Sequence, residues 1–448
     1  MPSIYKSKKA VLSYMILLHL FWFVVGLCSK RFYNGDSYEY IYLAENIKHG
    51  LYYGANAYLP VSDYLLTSRT PLYSILIAIC YSIFGPHNLP LLLLQNILSI
   101  ISCWMIYDLF QKRYPANTKW WIYILFIAFY PAQFLFATMI VPDHVLQFFL
   151  VLYFRELFLS IETPSNERLA RMSLWLILAT MTKPIVYPFL ILHVLYAGWY
   201  FFKTKSARVF LIALIPLASI IGYGLWNKSR TGLYHISSVQ SHNLLNFNAR
   251  SFLIFRHGQA YSDSVLDIAN KGLDAQKGLK DKYEFADKEA RKIIKNDLAG
   301  YAFYHSKESA RFFIEPGKIE IDLYTGEASY YFRPGGDSFY KQFREHGMNG
   351  AWNYIKGYPY LPFILLIVLF NVLRVLGWIL FLFDRRYSSA LKIFSGIYIL
   401  YFAAVTGPVA NTRYFLPILL ILSCLSMLGF TGWIEQRKAR KQVLPYVG

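Results

Sequence analysis

The chain has 448 residues, of which 56% are hydrophobic and only 16% are charged, whereas soluble domains carry roughly 25% charged residues. Its formal net charge is +19, yet the longest polar segment, residues 227–352, holds 18 basic and 15 acidic residues and contributes only +3. The remaining +16 belongs to the apolar runs and their connections, and basic residues in short connections are typical of cytoplasmic loops of membrane proteins. These features predict an integral membrane protein and argue against nucleic-acid binding.

The N-terminus carries Lys6, Lys8 and Lys9 ahead of the apolar run Ala10–Cys28. This order resembles a signal peptide in outline. Because the run is long enough to cross a bilayer and further spans follow, we expect a retained first helix.

Ten apolar runs are suitable for crossing a bilayer, which takes about 20 residues, and they predict an all-α polytopic bundle. They are residues 10–28, 88–107, 119–138, 143–161, 169–183, 184–202, 208–226, 359–383, 388–407 and 413–433. One more run, Pro71–Phe84, has 14 residues, a length that suits a re-entrant or juxtamembrane helix better than a span.

The basic connections indicate whether Pro71–Phe84 crosses. If it does not, both termini and all the basic connections fall on one side: Lys6–Lys9, Gln111–Arg113, Arg168 with Arg171, Lys203–Arg208, Asp384–Arg386 and Arg437–Lys441. If it does, every later basic connection moves to the side opposite the N-terminus. Because basic residues concentrate in cytoplasmic loops, we expect the first arrangement. It places residues 29–88, 141–143, 182–184, 227–352 and 407–413 outside.

Three parts of the chain follow from this topology. Residues 1–226 form an N-terminal transmembrane module with its first outer loop at 29–88, residues 227–352 an extracytoplasmic loop domain, and residues 353–448 the last spans and a basic cytoplasmic tail. In the loop domain, Asp281–Leu298 has the spacing of an amphipathic helix. Ile319–Phe332 alternates like a hairpin turning at Thr325–Gly326. We therefore expect a small α+β domain there.

Several polar residues inside the apolar runs have structural interpretations. Arg374 fits snorkelling or a helix–helix pair, and His19 fits a packed polar residue. All four cysteines lie in apolar segments, so a disulfide framework in the loop domain is excluded. No Cys/His spacing resembles a zinc site.

Two carboxylates are candidates for chemistry because both lie at outer ends of apolar helices. Asp36 directly precedes a predicted helix over Ser37–His49, and Asp143 begins a span after Val141–Pro142. Each fits a helix N-cap, since Asp is a favoured cap. Each also fits acid–base or cation-assisted chemistry, and the pattern leaves both interpretations open.

Three cations occupy the same predicted outer face, where the positive-inside tendency makes basic residues less expected. They are Arg69, Lys183 and Arg413. Each fits a contact with lipid headgroups at the interface. Each also fits phosphate binding, because arginine presents a planar donor fork and lysine a point charge.

The same residues carry a family resemblance. The first-loop pattern Asp36…Tyr40…Ala44…Gly50…Tyr52 resembles that of protein O-mannosyltransferase-like and lipid A aminoarabinose transferase-like families, which are membrane-embedded glycosyltransferases of the GT-C type. Further segments resemble the families' Arg-x-Pro-Leu-Tyr, Phe-Gly, Thr-Arg-Pro and Arg-Tyr-x-x-Pro motifs. They are Arg69–Tyr73, Phe84–Gly85, Thr182–Pro184 and Arg413–Pro417.

The resemblance implies a GT-C-like bundle and an inverting transfer of a sugar from a polyprenyl-phosphate carrier to an acceptor hydroxyl on the outer face of a membrane, here expected to be a bacterial inner membrane. The acceptor class stays open between glycan, lipid and protein. Two departures leave the sugar and the acceptor undefined: Ser37 stands where the families often have glutamate, with Glu39 following later, and Lys183 stands where they have arginine.

The resemblance implies Asp36 as the base, because it matches the families' first-loop aspartate. Asp143, as a second carboxylate on the same membrane face, is predicted to be a catalytic residue that orients the acceptor or assists a divalent cation. Substrate binding falls to Glu39, Arg69, Lys183, Arg413 and Tyr414. A transporter or flippase of lipid-linked sugars is the alternative function, although the charged midplane residues and inverted repeats of transporters are missing apart from Arg374.

Overall fold

The computed structural model describes residues 2–52, 67–116, 118–325, 339–357, 360–409 and 411–443. Every regular element within those ranges is helical, which confirms the expected all-α polytopic class. The α-helices are α1 Pro2–Ser29, α2 Ser37–Lys48, α3 Pro71–Phe84, α4 Asn88–Arg113, α5 Trp120–Ala128, α6 Ala132–Leu135, α7 Asp143–Glu162, α8 Asn166–Thr182, α9 Leu190–Thr204, α10 Arg208–Thr231, α11 Val239–Asn243, α12 Arg250–His257, α13 Gln259–Asp274, α14 Gly278–Asn296, α15 Leu298–Arg311, α16 Lys318–Thr325, α17 Phe339–Lys356, α18 Leu361–Phe383, α19 Ser389–Thr406 and α20 Leu416–Val443.

Eight of the ten predicted spans coincide with continuous described helices that are long and apolar enough to cross a membrane. The other two differ in form. The run 119–138 consists of α5 and the segment Ala132–Thr138, bent by 72°, and the run 169–183 is the 17-residue α8. Helix α8 returns along α7, since Asp143 at the start of α7 contacts Lys183 just after α8.

The break after α5 explains the buried Arg374. Pro131 follows the end of α5 and supplies no N–H to continue it, so carbonyl groups at the end of α5 lack helical partners. The guanidinium of Arg374, on α18, donates to the carbonyls of Phe126 and Phe129. Arg374 is fully buried and therefore forms a helix–helix contact rather than snorkelling.

Both ends of α3 lie at the same end of the bundle. Its first residue, Pro71, comes two positions after Arg69. Arg69 in turn contacts Asp36, which lies beyond the end of α1. Its last turn is tied to the start of α4, because the hydroxyl of Tyr81 donates to Asn88, which in turn donates to Tyr33. Helix α3 therefore does not cross, as expected from its 14 residues.

The loop domain is built from α11 to α17. The predicted amphipathic helix is present as α14, and Ala286 and Ala290 are fully buried in the domain core. The predicted hairpin is wrong over Ile319–Thr325, which forms α16, where Lys318 and Asp322 make an ion pair one helical turn apart. Residues two apart lie on opposite sides of a helix, and accordingly Ile321 is buried whereas Ile319 is exposed. The rest of the hairpin, 326–332, lies outside the described residues.

The segment between α15 and α16 enters the bundle. The side chain of Asn371, on α18, donates to the carbonyl of Glu315 at 3.0 Å, and Phe313 stacks on Trp378 of the same helix. The chain then returns outward, where the hydroxyl of Tyr324 contacts Thr138. The loop domain is therefore anchored among the spans.

The topology predicts opposite accessibility for His87 and Lys112, which are both exposed and lie at the two ends of α4. In a variant whose four cysteines are replaced, a cysteine at 87 should react with a membrane-impermeant thiol reagent added to intact cells, and one at 112 only after lysis. Reaction of both positions in intact cells would contradict the predicted arrangement.

Candidate active site

All five charged residues singled out from the loop and helix-end motifs meet at one end of the bundle. They lie at the ends of helices that are far apart in the sequence: Asp36 before α2, Arg69 before α3, Asp143 at the start of α7, Lys183 after α8 and Arg413 ahead of α20. This arrangement agrees with the shared face inferred from the positive-inside tendency.

The side chains form one continuous row of ion pairs, which we call the ion-pair chain, in the order Glu39, Arg69, Asp36, Arg413, Asp143 and Lys183. The nitrogen–oxygen distances are 2.9 Å for Arg69–Glu39, 2.8 Å for Arg69–Asp36, 2.7 Å for Arg413–Asp36, 3.0 Å for Arg413–Asp143 and 2.8 Å for Lys183–Asp143. Acidic and basic groups alternate, and their formal charges cancel. This balance is what permits six ionised groups to be withdrawn from water.

The side chains of the ion-pair chain differ in their exposure to solvent. The Asp143 side chain is 1% exposed, whereas that of Asp36 is 30% exposed. Lys183 and Arg413, on either side of Asp143, are also buried. Asp36 is therefore the aspartate that a ligand can reach, and Asp143 lies behind two cations.

The helix-cap interpretation of Asp36 is wrong. Asp36 occupies the N-cap position of α2 but makes no capping hydrogen bond, because each of its carboxylate oxygens accepts from an arginine. Asp143 is the first residue of α7, and its oxygens bind Lys183 and Arg413. The three cations likewise bind carboxylates within the protein, so lipid-headgroup contact is not their main interaction.

The backbone around Arg69 is held by the start of the loop domain and by the first outer loop. The Ser237 hydroxyl donates to the carbonyl of Ser68 at 2.6 Å, and the Ser238 N–H donates to the carbonyl of Thr67 at 3.1 Å. The Tyr52 hydroxyl donates to the carbonyl of Arg69 itself. Two polypeptide segments far apart in sequence therefore hold the backbone that carries this guanidinium.

Arg413 projects from the short 3-10 turn Thr412–Tyr414. The Asn411 side chain accepts from the Arg413 N–H, and the Tyr130 hydroxyl donates to the Thr412 carbonyl. The Tyr414 ring lies 4.4 Å from the Lys183 ammonium and 5.8 Å from the Arg413 guanidinium. Tyr414 thus contributes a cation–π contact to both cations, whereas its predicted role with substrate stays a prediction.

The charges around Asp36 determine its protonation. Burial acts to raise the pKa of this carboxyl, but the positive charges of Arg413 and Arg69 outweigh burial and lower the pKa. Asp36 is therefore ionised at neutral pH. While both arginines bind it, it is also a weak proton acceptor, because a general base works best with a pKa near the operating pH.

A cavity of about 500 Å³ opens beside the ion-pair chain. Four of the predicted site residues line it: Asp36, Arg69, Lys183 and Tyr414. Another part of the lining belongs to the loop domain and includes polar residues that the sequence did not single out for function: Gln240, Asn243, Asn248, Asp287 and Arg291. The sequence indicated α14 by its period but carried no signal for what its polar face meets.

Arg413 lies between the two aspartates, where it binds both. Among the described residues, no group of three or more His, Cys, Asp or Glu side chains is close enough to hold a metal ion. The divalent cation stays a prediction.

Comparisons with known proteins give structural likeness only. No family model and no curated protein matches the chain. The chain is similar to the archaeal oligosaccharyltransferase AglB from Archaeoglobus fulgidus, solved with an inhibitory peptide and a dolichol-phosphate. The identity is 13% and the TM-score 0.45, covering 98% of this chain and 52% of AglB. This chain therefore spans about half the length of AglB.

The chain is also similar to ArnT from Cupriavidus metallidurans, solved bound to undecaprenyl phosphate and in the apo state. The identities are 12% and 11%, the TM-scores 0.38 and 0.35, and the alignments cover 95% and 94% of this chain and 77% and 78% of ArnT. Likeness at this level assigns no activity, so the function proposed below rests on the site residues.

The alternating charges predict a large stability cost for Arg413→Gln. The change leaves two aspartates with one cation fewer, which typically costs about 3–5 kcal/mol for a buried pair. Adding Asp143→Asn should recover part of the loss. Thermal unfolding of the purified protein in detergent, followed by intrinsic fluorescence, measures both.

The matched control is Lys48→Gln, which breaks a surface pair with Glu45 whose two side chains are 33% and 40% exposed and should cost about 0–1 kcal/mol. An Arg413→Gln protein as stable as this control would contradict the importance of charge balance.

Proposed function

We propose that this chain is an inverting glycosyltransferase that moves a sugar from a polyprenyl-phosphate donor to an acceptor hydroxyl. The observation that supports the proposal most strongly is a partly exposed carboxylate, Asp36, held between two arginines at the edge of a cavity, at the helix ends of a membrane bundle. We place this end on the outer face, following the distribution of basic connections.

The cations provide a site for the phosphate. Arg69 and Lys183 line the cavity, and Arg413 lies directly behind them through its pairs with Asp36 and Asp143. An arginine fork and a lysine ammonium together suit a phosphate group. A polyprenyl tail would extend from the same site into the apolar surroundings of the helices.

Asp36 supplies the base. When a phosphate draws on the guanidinium groups that otherwise bind Asp36, the carboxylate loses part of its stabilisation and becomes a better proton acceptor. The acceptor hydroxyl gives its proton to Asp36, and its oxygen attacks the anomeric carbon on the side opposite the phosphate. The bond from that carbon to the phosphate oxygen breaks, and the lipid phosphate leaves with the electron pair. A single displacement inverts the anomeric centre.

We assign Asp143 a different role from the predicted one of orienting the acceptor or assisting a cation. It does not line the cavity, and its oxygens are taken by Lys183 and Arg413. We therefore assign it to positioning these cations rather than to contact with the acceptor. Glu39 acts on Arg69 in the same way.

The transporter alternative gains no support from the bundle interior. Arg374 there binds backbone carbonyls of the neighbouring span. Several other buried polar side chains bind one another: His19 contacts Ser99, and Gln133 donates to both Ser99 and Gln147. These side chains are neutral amides, a hydroxyl and an imidazole within tightly packed spans. They fit helix packing better than a translocation path.

The decisive experiment measures sugar transfer in detergent, where no compartments exist. Purified protein, polyprenyl-phosphate-linked labelled hexoses and a membrane glycolipid extract should yield labelled product of inverted configuration. Asp36→Asn should lower turnover by at least roughly 100-fold, as expected for loss of a general base. The variant protein should still fold and be retained in the membrane, because Glu39 and Asp143 still pair with the arginines.

The control is Glu45→Gln, an exposed carboxylate on α2 that pairs only with Lys48 among the described ion pairs, and it should leave turnover unchanged. Full activity of Asp36→Asn would remove the base from the mechanism. Absence of transfer by the parent protein with any polyprenyl-phosphate hexose, together with uptake of lipid-linked sugar in vesicles, would favour transport.

Phosphate binding should depend on pH through Lys183. Burial and the charge of Arg413 lower the pKa of Lys183 to about 8, against the opposing effect of Asp143. Below this pH the ammonium is charged, and above it the charge is lost, so affinity for polyprenyl phosphate should fall as pH rises through about 8. Lys183→Arg keeps its charge at higher pH and should give a flat profile. Identical profiles for the two proteins would contradict this role.

A further inference from the structure

Two elements of the loop domain contribute several polar residues to the wall of the cavity beside the ion-pair chain. One is the π-helix Leu244–Ala249 with Asn243 directly before it, and the other is α14. π-Helical turns are rare and occur frequently at functional sites. An unusual backbone element therefore lies in the wall of the cavity that holds the proposed base.

Both elements divide their side chains between the domain core and the cavity. In α14, Ala286 and Ala290 enter the core, while Tyr283, Asp287 and Arg291 follow one another at four-residue intervals along the cavity side. Residues four apart share one face of a helix. The two alanines provide the contacts of α14 with the domain core. Core packing therefore does not explain why the residues on the cavity side are polar.

The π-helix shows the same division. Leu245 and Ala249 are buried in the domain core, whereas Asn243 and Asn248 line the cavity. The Asn248 side chain donates to the carbonyl of Asn243 at 3.3 Å, which holds it in the widened turn. Two amides are thus presented from one short segment.

The charges of this wall cancel locally. Arg291 pairs with Asp287 at 2.6 Å, and the other polar lining groups are amides, hydroxyls and phenols. Arg69 and Lys183, which belong to the ion-pair chain, line the same cavity and carry its unbalanced positive charge on that side of the lining. An anionic group therefore belongs on the ion-pair side, and a neutral polar ligand on the loop-domain side.

The groups on this wall suit a ligand rich in hydroxyls. Amides offer both donors and acceptors, and the Tyr283 ring offers a flat apolar face with a hydroxyl end. Tyr187, from the 3-10 helix that follows Lys183, adds a second such ring to the cavity lining. A sugar ring combines hydroxyl groups with C–H faces in the same way. The cavity volume of about 500 Å³ lies within the range of roughly 300–1,000 Å³ usual for small-molecule sites.

We propose that Asn243, Asn248 and Tyr283 form a carbohydrate subsite that binds the hydroxyl groups of a neutral sugar across the cavity from Asp36. The inference rests on the proposed function, because the subsite places a sugar beside the base. The bound sugar belongs either to the donor or to a glycan acceptor, since both present the same chemistry.

The test compares binding of bare undecaprenyl phosphate with binding of undecaprenyl-phosphate hexoses, and transfer to oligosaccharide or glycolipid acceptors. The variants are Asn243→Ala, Tyr283→Ala and Tyr283→Phe, the last of which keeps the ring. The matched control is Asn246→Ala, because Asn246 lies on the same π-helix and its amide contacts His242. Each cavity variant should leave affinity for undecaprenyl phosphate unchanged. Each should weaken sugar recognition by roughly 3- to 10-fold, the effect of one neutral hydrogen bond.

The source of the sugar follows from which measurement changes. Weaker binding of the hexose-linked lipid identifies the donor sugar, and a raised acceptor KM with unchanged donor binding identifies the acceptor glycan. Either result supports the subsite. Cavity variants that behave like Asn246→Ala in both measurements would overturn it, as would an equal loss of affinity for bare undecaprenyl phosphate. If the parent protein neither binds undecaprenyl phosphate nor transfers sugar, the proposed function itself fails.

Discussion

The site depends on one guanidinium shared by two carboxylates. Arg413 binds Asp36 on one side and Asp143 on the other, and these aspartates begin or precede helices that are far apart in the sequence. An ionised group at the end of an apolar helix is costly unless it is paired. Because Arg413 pairs with both, the first outer loop, α7 and the turn ahead of α20 must converge. The position of each helix end is therefore coupled to the charge balance of the whole ion-pair chain.

The loop domain takes part in the same constraint. Its first segment holds the backbone ahead of Arg69, because Ser237 and Ser238 donate hydrogen bonds to backbone carbonyls there. The segment between α15 and α16 packs on the turn that carries Arg413, where Gly317, at φ +74°, lies close to Thr412. A side chain at 317 would be strained there, because residues other than glycine rarely adopt this backbone conformation. Both arginines that bind Asp36 are thus positioned partly by a domain lying outside the first seven spans.

The sequence could predict the spans, the non-crossing α3 and the shared face of the charged residues, because hydropathy and basic connections act over whole segments. It could not separate a cap from an ion pair at Asp36, since both place an aspartate before a helix and differ only in partners distant in sequence. The break in the run 119–138 was visible as Pro131, yet the buried partner of the freed carbonyls, Arg374, was not. The hairpin prediction failed over residues 319–325 because periodicity alone does not distinguish a strand from a helix over so short a run. The polar face of α14 was visible as a period, but the cavity that it lines depends on tertiary packing.

The ion-pair chain, whose formal charges sum to zero, also fits the charge changes of the proposed reaction. The donor phosphate is a diester with one negative charge, and the released lipid phosphate is a monoester carrying about −1.5 to −2 at neutral pH. Over the same step Asp36 gains a proton and loses its negative charge. Negative charge therefore moves from a carboxylate to a phosphate while the total in the site stays nearly constant. Since Arg69 and Arg413 already bind Asp36, the same guanidinium groups stabilise the charge before and after transfer with little reorganisation, which is the condition under which preorganised electrostatics lowers a barrier most.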